Sequence, residues 1–243
     1  MNIKVYYRIS DAGYSKVKPQ FVNNQNCLTN FYSVFHINKN DINIFADNTS
    51  PETDELIQKI SKKAPIKTSF GSSGQSFRNV YEKAISENTD DTIIYFVEND
   101  YIHNWGSMNA IIEGIEMGAD YVTLYDHPDK YIDKDKGGNP EVENGGEITQ
   151  VFLTNNYHWK LTNSTTMTFA ATVKTLIRDA YVIKKHTSGS YPTDYQMCVE
   201  LRALGKTMIS PIPGLATHGE TMWLSPLIDW QEVMNNSISK FSC

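Results

Sequence analysis

The sequence predicts an α/β fold: a single domain on a mostly parallel mixed sheet with helices packed on its faces. Two observations carry that expectation. Short β-branched or aromatic runs alternate with helix-length amphipathic segments through the first 126 residues, the spacing that parallel strands need for right-handed crossovers. The run "TIIYFV" (92–97) is also almost wholly apolar, as a strand buried on both faces should be.

Taken in order, "IKVYYRIS" (3–10) is β-branched and aromatic and reads as the first strand. "FVNNQNCLTNFYSVF" (21–35) places Phe21, Cys27 or Leu28, Phe31 and Phe35 near helical spacing. "INIFAD" (42–47) is a second strand. "SPETDELIQKISKK" (50–63) opens a helix, with Ser50 as N-cap, Pro51 first inside, and acids in the first turn. "PIKTSF" (65–70) is a third strand. "GSSGQSFRNVYEKAISEN" (71–88) is a Gly/Ser turn feeding a helix whose apolar face is Phe77, Val80, Tyr81, Ala84 and Ile85. "TIIYFVEN" (92–99) is the fourth strand, "WGSMNAIIEGIEMG" (105–118) a helix closing on Gly118, and "DYVTLYD" (120–126) the fifth strand.

The character then changes. "DKDKGGNPEVENGGE" (133–147) is charged and Gly-rich, which predicts a mobile surface loop. "ITQVFLTN" (148–155) and "STTMTFAATV" (164–173) read as strands of a hairpin or mixed region. "VKTLIRDAYVIKKH" (173–186) and "YPTDYQMCVELRALG" (191–205) read as helices, and "KTMISPI" (206–212) as the last strand. The tail after Pro213 is expected to be irregular, with a short helix near 226–236. The chain thus divides into halves, 1–126 and 127–243, of one domain.

Composition excludes several classes. A formal charge of -6 without a dense Lys/Arg cluster argues against a nucleic-acid groove. Cys27, Cys198 and Cys243 match no zinc spacing, and three thiols do not make a disulfide framework. Reduced thiols in a cytoplasmic protein are expected. "MNIKVYYRIS" lacks the apolar core of a signal peptide, and no apolar run approaches the roughly 20 residues of a transmembrane segment. "MWLSPLIDW" (222–230) is a surface that can make peripheral membrane or partner contact.

The fourth strand ends on Glu98-Asn99-Asp100. Residues i and i+2 of an extended segment point the same way, so both carboxylates are expected at the strand's C-terminal edge, where open sheets bind ligands. Adjacent carboxylates repel unless a cation or a hydroxyl lies between them. A divalent Mg²⁺ or Mn²⁺ is a natural occupant, completing its shell with phosphate oxygens. A solvated acidic turn is the plain alternative.

Three segments, in order, resemble those of inverting family 2 glycosyltransferases: "IFADNTSPETDELI" is similar to their D-N-x-S segment, "GSSGQSFRNVYEKAI" to their N-x-G-x-S-x-A-R-N-x-A-I helix start, and "IIYFVEND" to their D-x-D strand end. The resemblance covers about residues 1–126. It implies the GT-A fold, a nucleoside-diphosphate-sugar donor bound by the first half, and an acceptor and the catalytic base in the second. Under it, Asp47 binds the nucleobase or ribose, Arg78 lies near the donor, Glu98 lies near the ribose, and Asp100 binds the metal. Read from the residues alone, Asp47 closes a strand in an Asx-turn and Arg78 makes a surface ion pair. Glu-Asn-Asp departs from the family's Asp-x-Asp.

In the second half, Pro192 favours a first helical turn that contains Asp194. The resemblance makes Asp194 the base that deprotonates the acceptor hydroxyl. A helix N-terminus is expected to lower its pKa. His218 is a candidate second metal ligand, and Glu220 a fallback base. Asp126, His127, Tyr191 and Trp223 are acceptor-site candidates. Trp159 and Tyr195 offer further stacking surfaces, although such aromatics also build cores. Lys16 and Lys18 follow the first strand and are expected in a solvated loop, within reach of donor phosphates. The expected activity is metal-assisted, inverting transfer of a sugar to a hydroxyl of a glycan or other acceptor. A sugar nucleotidyltransferase is the alternative, usually marked by a Gly-rich cationic loop where this chain has "RISDAGYSKVKPQ". A non-catalytic carbohydrate-binding protein of the same fold is the third reading.

Overall fold

Strands β1 (Ile3–Ile9), β2 (Ile42–Asp47), β3 (Ile66–Thr68) and β4 (Ile93–Glu98) form a parallel block in the spatial order β3-β2-β1-β4. The structure, a computed structural model, describes residues 2–12 and 16–241. The sheet continues through β9 (Phe169–Thr172), β6 (Tyr121–Val122), β10 (Met208–Pro211), β8 (His158–Leu161) and β7 (Val151–Leu153) to nine strands. β9 is antiparallel to both neighbours, so β6 and β10 again run with the first block. β8 and β7 end the sheet as an antiparallel pair. A separate ribbon joins β5 (Tyr101–His103) to β11 (Ala216–His218).

Alternation along β1 assigns its residues to the two faces of the sheet. Val5, Tyr7 and Ile9 pack with Leu28 and Phe31 of α1 (Asn24–Val34), Ile57 and Ile60 of α2 (Pro51–Ser61), and Ala110 and Ile111 of α4 (Ser107–Glu116). Tyr6 faces the other layer, with Phe77, Val80 and Tyr81 of α3 (Ser73–Glu87). That layer is completed by α5 (Val173–Arg178), α6 (Ala180–His186) and α7 (Asp194–Ala203). The expected cap of α2 is present: Ser50 Oγ accepts from Thr53 N at 3.2 Å, and Pro51 opens the helix. The result is one α/β domain on a large, mixed, mostly parallel sheet flanked by helices, as the sequence predicts.

The structure departs from the expected elements in several places. The fifth strand is only Tyr121–Val122, with Tyr125 adding an isolated bridge to Ala216. β5, β8 and β11 are not anticipated, and β11 lies in the tail expected to be irregular. Helix 173–186 breaks at Asp179, whose buried carboxylate accepts from Tyr121 Oη at 2.8 Å instead of following the helix surface. The segment 133–147 lies at the surface as expected, but it is anchored: Asn139 and Val142 are buried, and Glu147 accepts from Asn163 N at 2.6 Å. The tail helix α8 is longer than expected (Trp230–Phe241). Among the described residues no helix is long and apolar enough to cross a membrane.

Candidate functional site

The C-terminal ends of β1, β2 and β4 open into one cleft of about 1460 Å³, lined by Arg8, Asp47, Glu98 and Asp100. Its other walls include Lys16, Lys18, His127, Tyr191, Asp194, His218, Glu220 and Trp223. That exceeds the roughly 300–1,000 Å³ of a single small-ligand pocket, which leaves room for two substrates. The neighbours of β1 on either side are β2 and β4, so the cleft lies where the strand order reverses, the expected ligand position in an open α/β sheet.

Arg8 and Glu98 are register partners on β1 and β4. Arg8 Nη2 donates to Glu98 Oε1 at 2.9 Å and Nη1 to the Ser73 carbonyl at 3.2 Å, while the guanidinium lies over the Phe77 ring. Burial pushes the Glu98 carboxyl above its ordinary range; Arg8 opposes that and Asp100 adds to it. Sequence reading missed Arg8. The available signal was a charge near the end of a mostly apolar and aromatic run; its register with Glu98 shows only in the folded sheet.

Asp100 follows β4 in the turn before β5. Its Oδ2 accepts from Lys18 Nζ at 2.9 Å and lies 3.1 Å from His218 Nε2. His218 Nδ1 lies 3.0 Å from Glu220 Oε1, and Lys16 pairs with Glu220. Burial works against the charges of Asp100, His218 and Glu220, but their partners together more than offset it. Asp100 is held well below the usual carboxylate range by His218 and Lys18. His218 is raised to about 10 by Asp100 and Glu220, and Glu220 is lowered to about 2 by His218 and Lys16. A carboxyl that low is a poor proton acceptor, which counts against Glu220 as a base.

Donor atoms at adjacent corners of an octahedral Mg²⁺ or Mn²⁺ shell lie about 3 Å apart, given metal–oxygen distances near 2.1 Å. The 3.1 Å between Asp100 Oδ2 and His218 Nε2 fits that spacing. Among the described residues no three His, Cys, Asp or Glu side chains converge as a ligand cluster. An ion here would draw the rest of its shell from water and substrate oxygens, and Lys18 would have to move off Asp100.

Asp194 opens α7 and lines the same cleft. Its carboxyl is raised, not lowered: burial outweighs the hydrogen bond from Tyr195 N at 2.8 Å. The sequence expectation weighed the helix end and not the burial. His127 accepts from Asp129 N through Nδ1 at 3.0 Å, and its ring lies 5.3 Å from that of Trp223.

Asp47 lines the cleft, but its carboxylate is engaged by Thr68 Oγ1 at 3.0 Å, Phe70 N at 2.7 Å and Gly71 N at 3.3 Å, so it holds the turn ahead of α3. Lys16 and Lys18 lie in the expected loop, Lys16 exposed and Lys18 half-buried, and each is also ion-paired along the cleft wall.

Four candidates lie elsewhere. Arg78 donates to the Lys184 carbonyl on α6; Ser73 and Ser76 take the cleft face of α3, and Arg78 falls off that phase. Asp126 is 1% exposed, ion-paired with Lys160 Nζ at 2.8 Å and accepting from Tyr131 Oη at 2.6 Å. It is a core ion pair and not an acceptor contact. Trp159 is fully buried beneath α4. Tyr195 does not line the cleft; its hydroxyl lies 3.4 Å from Glu141 Oε1.

No family model and no curated protein matches the sequence. Among solved structures the chain is similar to CMP:2-keto-3-deoxy-manno-octonic acid synthetase complexed with CTP, at TM-score 0.50 and 11% identity, covering 99% of this chain and 100% of that one. It is also similar to S. aureus TarS 1–349, at TM-score 0.47 and 14% identity, where it spans 65% of that chain and 99% of its own. A nucleotidyl transferase from Methanothermobacter thermautotroptrophicus follows, at TM-score 0.47 and 8% identity, with 98% of each chain covered. At such identities only the fold is shared: this chain has the overall α/β fold of the CTP-bound synthetase.

Proposed function

We propose that the protein is an inverting glycosyltransferase of the family 2 type, moving a sugar from a nucleoside diphosphate to an acceptor hydroxyl. The observation that carries this reading is one cleft holding both Asp100 with His218 and the raised carboxyl of Asp194. The donor lies along the strand ends, with its ribose at Glu98, its base toward the turn that Asp47 holds, and its diphosphate at Asp100. Asp100 and His218 hold Mn²⁺ or Mg²⁺, which when bound supplies charge neutralisation on the departing nucleotide.

The acceptor lies against Tyr191, Trp223 and His127, with its hydroxyl at the Asp194 carboxylate. As that oxygen bonds to the anomeric carbon, its proton passes to Asp194. The bond to the diphosphate oxygen breaks on the opposite face, and the nucleoside diphosphate leaves with that electron pair. A base with a raised pKa suits this step better than the acidic Glu220. Holding both substrates in one cleft also supplies orientation, worth several kcal/mol. The free thiols of Cys27 and Cys198 suit a cytoplasmic enzyme.

One observation favours a second reading. Arg8, Lys16 and Lys18 all line the cleft, so the segment after β1 presents cations to it as a sugar nucleotidyltransferase requires. The products discriminate. UDP-, GDP- and dTDP-sugars are incubated with glycan acceptors and Mn²⁺, and nucleoside triphosphates with sugar 1-phosphates and Mg²⁺. Acceptor-dependent nucleoside diphosphate release supports glycosyl transfer. Pyrophosphate release establishes the nucleotidyltransferase instead, and specific glycan binding without either product points to a non-catalytic module.

A further inference from the structure

The segment 16–18 runs along the segment 218–221. Thr221 N donates to the Val17 carbonyl at 2.9 Å, which turns the side chains on either side of Val17 the same way, into the cleft. Lys16 meets Glu220, and Lys18 meets Asp100 at 2.9 Å. Val17 between them is 79% exposed, as the outward member of an i, i+2 set must be. Gly219 makes the close approach possible: a Cβ there would sit 2.4 Å from Val22 and 2.7 Å from the Asp100 carbonyl, which itself accepts from Gly219 N at 2.8 Å.

Resting on the donor reading above, we infer that Lys16 and Lys18 form a two-pronged clamp for the donor's diphosphate. Each lysine lines the cleft and is aimed into it by a carboxylate, Lys18 by Asp100 itself and Lys16 by Glu220 on the other side of His218. Those carboxylates keep two ammonium groups in place before the ligand arrives. A diphosphate offers more negative charge and more acceptor oxygens than either carboxylate, so each lysine can exchange its protein partner for phosphate oxygens. Released by Lys18, Asp100 keeps His218. Released by Lys16, Glu220 still accepts from the other ring nitrogen, so the imidazole remains oriented. The lysines therefore add to whatever neutralisation an ion at Asp100 supplies.

The clamp makes a specific demand: the second phosphate should account for most of the lysines' contribution. Binding of UDP, GDP and dTDP, and of the matching monophosphates, is measured by calorimetry in EDTA. Wild type is compared with Lys16→Met, Lys18→Met, the double variant, Lys18→Arg, and Lys59→Met on the exposed side of α2. For the nucleotide that binds, wild type should prefer diphosphate over monophosphate by about tenfold or more. The double variant should bring that ratio close to one, each single variant should fall between, Lys18→Arg should recover part of it, and Lys59→Met should leave it unchanged. A double variant that folds, binds the monophosphate and keeps the full preference overturns the clamp while leaving the donor reading intact. A wild-type chain that binds none of these nucleotides overturns both.

Discussion

His218 and Asp100 face each other at 3.1 Å, and Glu220 lies 3.0 Å from the other nitrogen of the same imidazole. An imidazole between two carboxylates is a strong trap for a proton. This arrangement has consequences for stability and for metal binding.

The first consequence is a pH dependence. Folding raises His218 from an ordinary 6.5 to about 10, so the folded state binds this proton more tightly. The stabilisation is fully present below about pH 6.5 and is lost as pH rises toward 10. In EDTA, urea unfolding should show His218→Gln destabilised relative to wild type at pH 6, with the gap narrowing at pH 10. A gap that does not change with pH would remove the charged imidazole.

A divalent ion requires the neutral ring. Mn²⁺ binding should release a proton and tighten between pH 6 and 9, and Asp100→Asn should weaken it by about tenfold or more. Calorimetry in two buffers of different ionisation enthalpy reads the proton directly.

Asp194→Asn should lower transfer by at least about 10²-fold while donor binding persists. The wild-type acid limb should lie above the ordinary Asp range, because burial disfavours the charged form. The same strain predicts a gain in stability: Asp194→Asn should raise Tm at pH 7, with little change at low pH where the wild-type carboxyl is already protonated.

Gly74 is the point where α3 meets the segment leading into α7. A Cβ would lie 2.1 Å from the Gly189 carbonyl oxygen, and Gly74 N donates to the Ser190 carbonyl at 3.0 Å. Ala favours a helix by about 1 kcal/mol over Gly, but a backbone oxygen cannot swing away as a side chain can. Gly74→Ala should therefore cost about 1–2 kcal/mol net, and it should reduce turnover by shifting the chain that carries Tyr191 and Asp194.

Lys160 and Asp126 are both nearly fully buried. Removing one charge strands the other, so Lys160→Met should cost about 3–5 kcal/mol. The double variant with Asp126→Asn should recover part of that loss.

The parallel block was legible because its signals are local. β1, β2, β4 and α2 each carry their own pattern, from apolar runs to the Ser50–Pro51 start, and Glu98-Asn99-Asp100 announces itself at a strand end. What escaped depends on partners distant in sequence. Asp126 looks like a site residue until Lys160 is placed beside it. Arg8 looks like a surface strand residue until Glu98 is in register. Arg78 sits one position beyond Phe77, and that rotation of the helix carries it to Lys184 rather than to the cleft. The break at Asp179 is invisible to helical periodicity because part of what holds its buried carboxylate is Tyr121, on another strand. β8 was hidden because His158–Leu161 mixes charge and aromatics, and Lys160 points inward to Asp126 and Glu147, both distant in sequence.

The most direct test is a crystal structure with Mn²⁺ and the nucleoside diphosphate that most raises the protein's Tm, a shift expected by mass action. The diphosphate should lie at Asp100 and His218, between the Lys16–Lys18 segment and the end of β4, with the ribose near Glu98 and the space before Asp194 left for an acceptor. A nucleotide bound away from this cleft, with Glu98 and Asp100 touching no part of it, would contradict the account.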